Sequence, residues 1–272
     1  LDEAGLLVTV DREINKDTEM HPLVRWQFRG GIDEKDRKAF LFTNVVDSKG
    51  KKFDMPVAVG VLAANRQIYA LGMGCPVEDV QDCWTKAIAN PIPPKEITSD
   101  EAPCHEIIIE GADLDIPGNA LDAIPVPIST PGWDVGPVAT LTQYVTKDPD
   151  TGLQNMGNYR AQIKGPRRMG MNPSLELRPG IYIHWEKMKA RGERLPAAVV
   201  LGAPSCVTFT AAQKLPENLE EITVAGGLVG APINVVRCRT VDLLVPAEAE
   251  IVVEGFINTE MLEPEAPFGE SH

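Results

Sequence analysis

The sequence predicts an α+β protein in which a mixed α/β region, residues 1–103, leads into a β-dominated region with inserted helices, residues 104–272. Three observations carry this. Before residue 104, short apolar runs that read as buried strands accompany a stretch of helical periodicity. After it, apolar and alternating runs recur at short intervals, as in a β-barrel or a curved sheet. Throughout, 23 glycines and 23 prolines punctuate the chain with turns. Neither GxGxxG nor GxxxxGK(S/T) occurs, which sets the second region apart from the doubly wound nucleotide folds.

In chain order, AFLFTNVV (39–46) and MPVAVGVLA (55–63) are apolar runs bounded by turns and read as buried strands. VEDVQDCWTKAIAN (77–90) places Val77, Val80, Trp84 and Ile88 along one stripe of an amphipathic helix. IANPIPPKEITSDEAP (88–103), rich in proline and charge, reads as a boundary or a surface crossing. HEIIIEGADLDI (105–116) reads as a strand running into a turn. Two alternating runs flank DPDTG within residues 137–165, the pattern of a β-hairpin. Strands follow at PAAVVLGAP, NVVRCRT, DLLVPA and AEIVVEGFIN, and helices interrupt at HWEKMKARGE and PENLEEITVAG.

Composition narrows the function. A chain of 272 residues, 43% hydrophobic and 24% charged, can bury a sizeable core. A net charge of −13 opposes a duplex-binding surface, which needs clustered Lys and Arg. No apolar run approaches the roughly 20 residues of a membrane span, and LDEAGLLVTVDRE lacks the basic start of a secretion signal. The five cysteines are scattered without a CxxC pair, which fits reduced thiols in the cytoplasm. His21, His105, His184 and His272 lie far apart, so any metal site must be assembled from distant segments.

Three stretches concentrate chemistry. On a strand through residues 154–160, Asn155, Gly157 and Tyr159 share one face, and Met156, Asn158 and Arg160 the other. Gly157 admits a close approach, and Arg160 offers a planar fork for phosphate or carboxylate, with Lys164, Arg167 and Arg168 following. Ala211 and Ala212, before Gln213 and Lys214, suit a small-residue turn that admits a phosphate, and Glu221 falls in a helix closing on Gly226 and Gly227. Finally EPEAPFGESH (263–272) sets Glu263, Glu265 and Glu270 among Pro264, Pro267, Phe268 and Gly269, too broken for a helix. Taken singly, these have ordinary readings: a solvated hairpin end, a solvated helical glutamate, an acidic tail. His184 likewise reads as a packed helix-start residue.

Taken in order, NMGNYRAQ, the Glu221 helix, VPAEAEIVVEG and PEAPFGE resemble the UbiD family of decarboxylases, which use prenylated FMN; the resemblance covers roughly residues 104–272. It implies a split β-barrel flavin-binding domain there, and a further C-terminal assembly domain outside this chain. It implies that Arg160, Glu265 and Glu270 form the catalytic group. It implies cofactor contacts from Asn155, Met156, Gly157, Asn158, Tyr159, Arg160 and Arg178, and from Ala211, Ala212, Gln213 and Lys214, the latter turn with a candidate K+ site. Asn155 and Glu221 match positions binding a divalent ion, manganese or magnesium, that bridges to the cofactor phosphate. The family's third ligand, a histidine, falls where this chain has Arg178, Pro179 and Gly180. Either His184 moves in as that ligand, or Arg178 contacts the phosphate directly.

The activity so implied is reversible, non-oxidative decarboxylation of an unsaturated or aromatic carboxylic acid, or of a thioester derivative. Its partners are the small acid and carbon dioxide, in a homo-oligomer, dimer or hexamer. Two other readings stand beside it: a flavin-binding subunit without catalysis, and a flavin reductase on a similar split barrel.

Overall fold

A computed structural model of the chain describes residues 1–173, 175–216 and 218–269. The N-terminal part opens with strands β1 (Leu7–Val10) and β2 (Ile14–Asn15), then helix α1 (Met20–Arg29). Strands β3 (Ala39–Phe42), β4 (Val45–Val46), β5 (Lys52–Phe53) and β6 (Val57–Val59) follow. They form two sheets, ordered β1-β3-β6 and β2-β4-β5, with β1 parallel to β3. Ile14, Met20, Val24, Phe42 and Val45 make one core between these sheets and α1.

Helix α2 (Arg66–Met73) starts where the side chain of Asn65 accepts the Ile68 N–H at 2.8 Å, and it stops at Gly74, in the left-handed region at φ 68. Helix α3 (Val80–Ala89) matches the amphipathic stretch, but its buried side is Ala87, while Val77 and Ile88 are 40% and 42% exposed. Val80 and Trp84 of the stripe are half-buried on the same side as Ala87, so the buried face keeps half of the stripe and is shifted toward the residue that meets the backbone of Gly227.

The crossing contributes a short strand, β7 (Lys95–Glu96), so pairing with the second part begins before residue 104. Residues 105–110 form no strand: Ile107, Ile108 and Ile109 are 78%, 43% and 40% exposed, and a 3-10 turn follows at Gly111–Asp115. Three consecutive β-branched residues carry strand propensity, yet no neighbouring strand takes their backbone groups.

Strands β8 (Val138–Ala139), β9 (Gln143–Lys147), β10 (Gln154–Asn158), β11 (Ala161–Gly165) and β12 (Arg168–Met171) come next. Helix α4 (Gly180–Arg191), strand β13 (Leu195–Leu201), helix α5 (Ser205–Ala211) and helix α6 (Glu221–Val229) follow, then strands β14 (Asn234–Arg237), β15 (Leu244–Pro246) and β16 (Ile251–Ile257). The central sheet is antiparallel, ordered β10-β9-β13-β16, with smaller sheets β12-β11-β8 and β15-β14-β7 beside it. Among the described residues no sheet closes on itself. The DPDTG hairpin is β9–β10, with Asn155 opposite Thr146.

Two helical expectations change. Helix α4 begins at Gly180, a full turn before His184. Helix α6 starts at Glu221 and runs through Gly226 and Gly227 to its left-handed stop at Gly230, φ 72. Those inner glycines are contact points: a Cβ at Gly226 would lie 2.6 Å from the Ile92 carbonyl, and one at Gly227 2.7 Å from that of Ala87. Backbone therefore packs on backbone where α6 meets α3 and the segment after it. Tyr69 against Phe209, with ring centroids 4.5 Å apart, joins α2 to α5.

Candidate functional site

Strand β10 ends where its chain leaves the central sheet and enters β11 of a neighbouring one, and Tyr159 and Arg160 occupy that corner. Thr142 holds the corner from both sides: its carbonyl accepts the Tyr159 N–H at 3.1 Å, and its hydroxyl donates to the Tyr159 carbonyl. Arg160 thus projects from a fixed backbone. Its Nε and Nη2 donate to Glu265 Oε1 and Oε2 at 2.6 and 2.7 Å, a two-pronged pair between residues 105 apart in sequence. Asn172 Nδ2 donates to the same Oε2 at 2.6 Å, and the Phe268 ring lies 5.4 Å from the guanidinium carbon. The hydrogen bond from Arg160 is the leading reason that the Glu265 carboxyl titrates below its usual range, and Asn172 adds to it.

The loop carrying Glu265 is anchored further. Glu263 accepts Lys164 Nζ at 2.6 Å and Arg168 Nη1 at 3.0 Å, so two of the basic residues after Arg160 hold the acidic loop. Arg167 pairs with Asp115 at 2.9 Å instead. Arg160 borders a cavity of about 500 Å³, lined also by His21, Asn158, Tyr159, Asn172 and Phe268. That volume is within the range of small-molecule and cofactor sites. Glu270 lies outside the described residues.

A second group sits beneath Tyr159. The Glu221 carboxylate, 8% exposed, accepts the Met156 N–H at 2.8 Å. Burial pushes its carboxyl up to about 7, and this bond only partly opposes the rise. Burial, and then the Glu221 charge, push the Tyr159 phenol up to about 12. Among the described residues the buried Asn155 amide nitrogen has no acceptor at hydrogen-bond geometry, and its Oδ1 occupies the space where a Cβ on Gly180 would lie, at 2.2 Å. Tyr159 folds its ring over Gly157, where a Cβ would meet the phenol oxygen at 2.3 Å and displace the ring. The Glu221 carboxyl, once ionised, and Asn155 Oδ1 are oxygen ligands of the kind a cation takes, whereas the orphaned Asn155 amide donor calls for an acceptor.

The remaining sequence candidates are placed as follows. His184 is buried on α4, with Nδ1 2.9 Å from Thr146 Oγ1, and burial pushes its imidazole down to about 4. It is therefore neutral at pH 7 and adjoins Asn155 through Thr146, the residue opposite Asn155. Among the described residues no group of three His, Cys, Asp or Glu is arranged for a metal. Asn158 lines the cavity and accepts Gln143 Nε2 at 3.2 Å; Met156 lies in the core. Arg178, at φ 44, turns to Glu186 at 2.8 Å, while its neighbours Leu177 and Pro179 line the cavity. Ala211 ends α5 inside the core, and Ala212, Gln213 and Lys214 are exposed beyond it. The residues that sequence reasoning missed are Asn172, Thr130 and Asp134, for no local pattern marks a contact with a loop about a hundred residues away.

Comparison with known proteins places this geometry. A family model described as 3-octaprenyl-4-hydroxybenzoate carboxy-lyase Rift-related domain matches residues 95–272, and the N-terminal domain model of the same carboxy-lyase matches residues 1–87. An uncharacterized protein of Synechocystis sp., sll0936, is 32% identical over 99% of this chain and 54% of its own length. The UbiD-class enzyme HmfF from Pelotomaculum thermopropionicum, in complex with FMN, is similar with a TM-score of 0.85 at 30% identity, over 99% of this chain and 56% of that one. The same enzyme in an evolved dimeric form, in complex with prFMN, gives 0.84 at 30% identity, over 99% and 58%. Vanillic acid decarboxylase of Sedimentibacter hydroxybenzoicus, in closed form, gives 0.85 at 26% identity, over 99% and 55%. The chain thus spans a little over half the length of the relatives it matches.

Proposed function

The chain belongs to the UbiD family of carboxy-lyases, and on that premise we propose that it builds the cofactor and substrate site of a prenylated-FMN-dependent decarboxylase acting on an unsaturated or aromatic carboxylic acid. The observation that carries this reading is Arg160, on the wall of a cavity of about 500 Å³ and held there by the two-pronged pair with Glu265. A scaffold needs neither the fixed guanidinium nor the oriented carboxylate. The split-barrel description of residues 104–272 belongs to the same proposal, as do self-association of the chain and a substrate drawn from aryl or acrylic acids.

Each residue has a task. Glu265 and Asn172 fix the plane of Arg160, and Phe268 covers it, so the guanidinium receives a substrate carboxylate in a set direction. The Glu265 carboxyl stays ionised at neutral pH and keeps that direction. Closure of the cavity strips water from the substrate carboxylate, which favours departure of neutral carbon dioxide. Glu270 delivers the replacing proton, an assignment that rests on the sequence pattern alone. Asn155, through Oδ1, and Glu221 would hold a divalent ion, manganese or magnesium, with neutral His184 adjoining across Thr146. The strand through Gly157, Asn158 and Tyr159 would line the cofactor, and the turn at residues 211–214 is the candidate K+ position. Prenylated FMN, when bound, supplies an electron sink for the carbon that loses carbon dioxide.

The test is co-production with a flavin-prenylating enzyme, followed by the mass and absorbance of the released cofactor and by exchange of labelled bicarbonate into aryl and acrylic acids. Prenylated flavin in the protein, and exchange that depends on Arg160, are the expected results. Protein that takes up no flavin, or exchange unchanged in Arg160→Lys, would defeat the proposal.

A further inference from the structure

The loop bearing Glu265 is gripped at its far end by two side chains from a distant turn. Asp134, 8% exposed, accepts the Gly269 N–H on Oδ1 at 2.6 Å. Its other oxygen accepts the Thr130 N–H at 2.8 Å, and the Thr130 hydroxyl donates to the Gly269 carbonyl at 3.1 Å. Both backbone polar groups of Gly269 are thus held by residues 135 and 139 positions earlier. The fit is close: a Cβ on Gly269 would lie 2.5 Å from Thr130 Oγ1 and 2.8 Å from its Cβ. Arg25 of α1 braces the grip from the N-terminal part, its Nη2 donating to Thr130 Oγ1 at 3.1 Å.

We propose that Thr130 and Asp134 are positioning residues for the reaction: they fix Gly269, and through the short proline-stiffened segment before it they aim Phe268 and Glu265 at Arg160. The path is short and has few free torsions. Three residues, Ala266, Pro267 and Phe268, separate Glu265 from Gly269, and Pro267 locks one φ between them. Phe268, over the guanidinium, adjoins the gripped residue directly. The far side of the loop is held by Glu263 on Lys164 and Arg168, so Glu265 lies between two anchors. With Gly269 released, the remaining anchor leaves the carboxylate free to swing away from the fork.

The inference rests on the decarboxylase reading only for its consequence in turnover, so its test is made on the flavin-free protein. Two readouts are used in Thr130→Val, Asp134→Asn and Thr130→Ser: amide exchange of Gly269, and titration of the carbon-13-labelled Glu265 carboxyl. Thr130→Val keeps shape and loses the hydroxyl, and Asp134→Asn loses the charge that accepts both amides. In these two the Gly269 amide is expected to exchange about tenfold faster or more, through loss of its carboxylate acceptor in Asp134→Asn and release of its carbonyl in Thr130→Val. The Glu265 carboxyl is expected to titrate closer to its ordinary value, while Thr130→Ser, which keeps the hydroxyl, matches the wild type in both. Exchange within about twofold of wild type, or an unmoved Glu265 titration despite faster exchange, would overturn the proposal. Failure of the decarboxylase reading would appear elsewhere, as absence of flavin or of exchange into substrate in the wild type.

Discussion

Substituting Glu221→Gln in protein freed of metal and flavin should stabilise it at alkaline pH, and the size follows from burial. The carboxyl moves from an ordinary 4.5 to about 7 on folding, chiefly because it is buried. At about 1.36 kcal/mol per pH unit, that separation is worth about 3 kcal/mol. The folded value lies above the unfolded one, so the protonated glutamate contributes this stability fully below 4.5, and it is lost as pH rises through about 7. Glutamine is neutral throughout and still accepts the Met156 N–H. Urea unfolding of both proteins at about pH 5 and about pH 8 should therefore show the variant gaining about 2–3 kcal/mol on the wild type across that interval. His184, held near 4, and His21, also lowered by burial, titrate in both proteins and cancel in the difference. Manganese added at the higher pH should recover the wild-type stability and leave the variant unchanged. A difference that stays flat within about 0.5 kcal/mol would refute the picture of an isolated buried carboxylate suited to a cation.

Arg160→Lys keeps the charge but replaces a planar fork by a point donor, so labelled carbon dioxide exchange should fall about a hundredfold or more, with flavin uptake retained. Glu265→Gln should cost about thirtyfold in kcat, the rate equivalent of about 2 kcal/mol of lost alignment, measured by steady-state decarboxylation. The depressed Glu265 carboxyl contributes stability that is present above about 4.5 and lost as pH falls through its folded value, so acid unfolding should start at higher pH in that variant. Gly227→Ala gains about 1 kcal/mol of helix propensity but places a Cβ 2.7 Å from the Ala87 carbonyl. Overpacking against backbone should win, with a net loss of about 1–2 kcal/mol in denaturant unfolding. Gly180→Ala should weaken flavin and manganese uptake in titrations by displacing the Asn155 side chain, which sits where the new Cβ would be.

Much of this protein is local in origin. The β9–β10 hairpin, the strand at 195–201 and the helix at 80–89 follow from period and turn residues within a dozen positions. The order of Asn155, Arg160, Glu221 and Glu265, with their residue types, likewise belongs to the sequence and carries the family with it. Other features were decided only when the chain closed on itself. Ile107–109 are as strand-like as Val252 and Val253, yet they stay exposed, because β16 finds β13 while residues 105–110 find no paired strand. Gly226 and Gly227 read as a helix stop but serve a helix interior, because α3 and the residues after it approach too closely for side chains. Arg160 meets Glu265 across 105 residues, and Thr130 and Asp134 grip Gly269 across more. Periodicity is written in neighbouring residues, whereas a contact between distant ones depends on which surfaces are buried together, and only the assembled core fixes that.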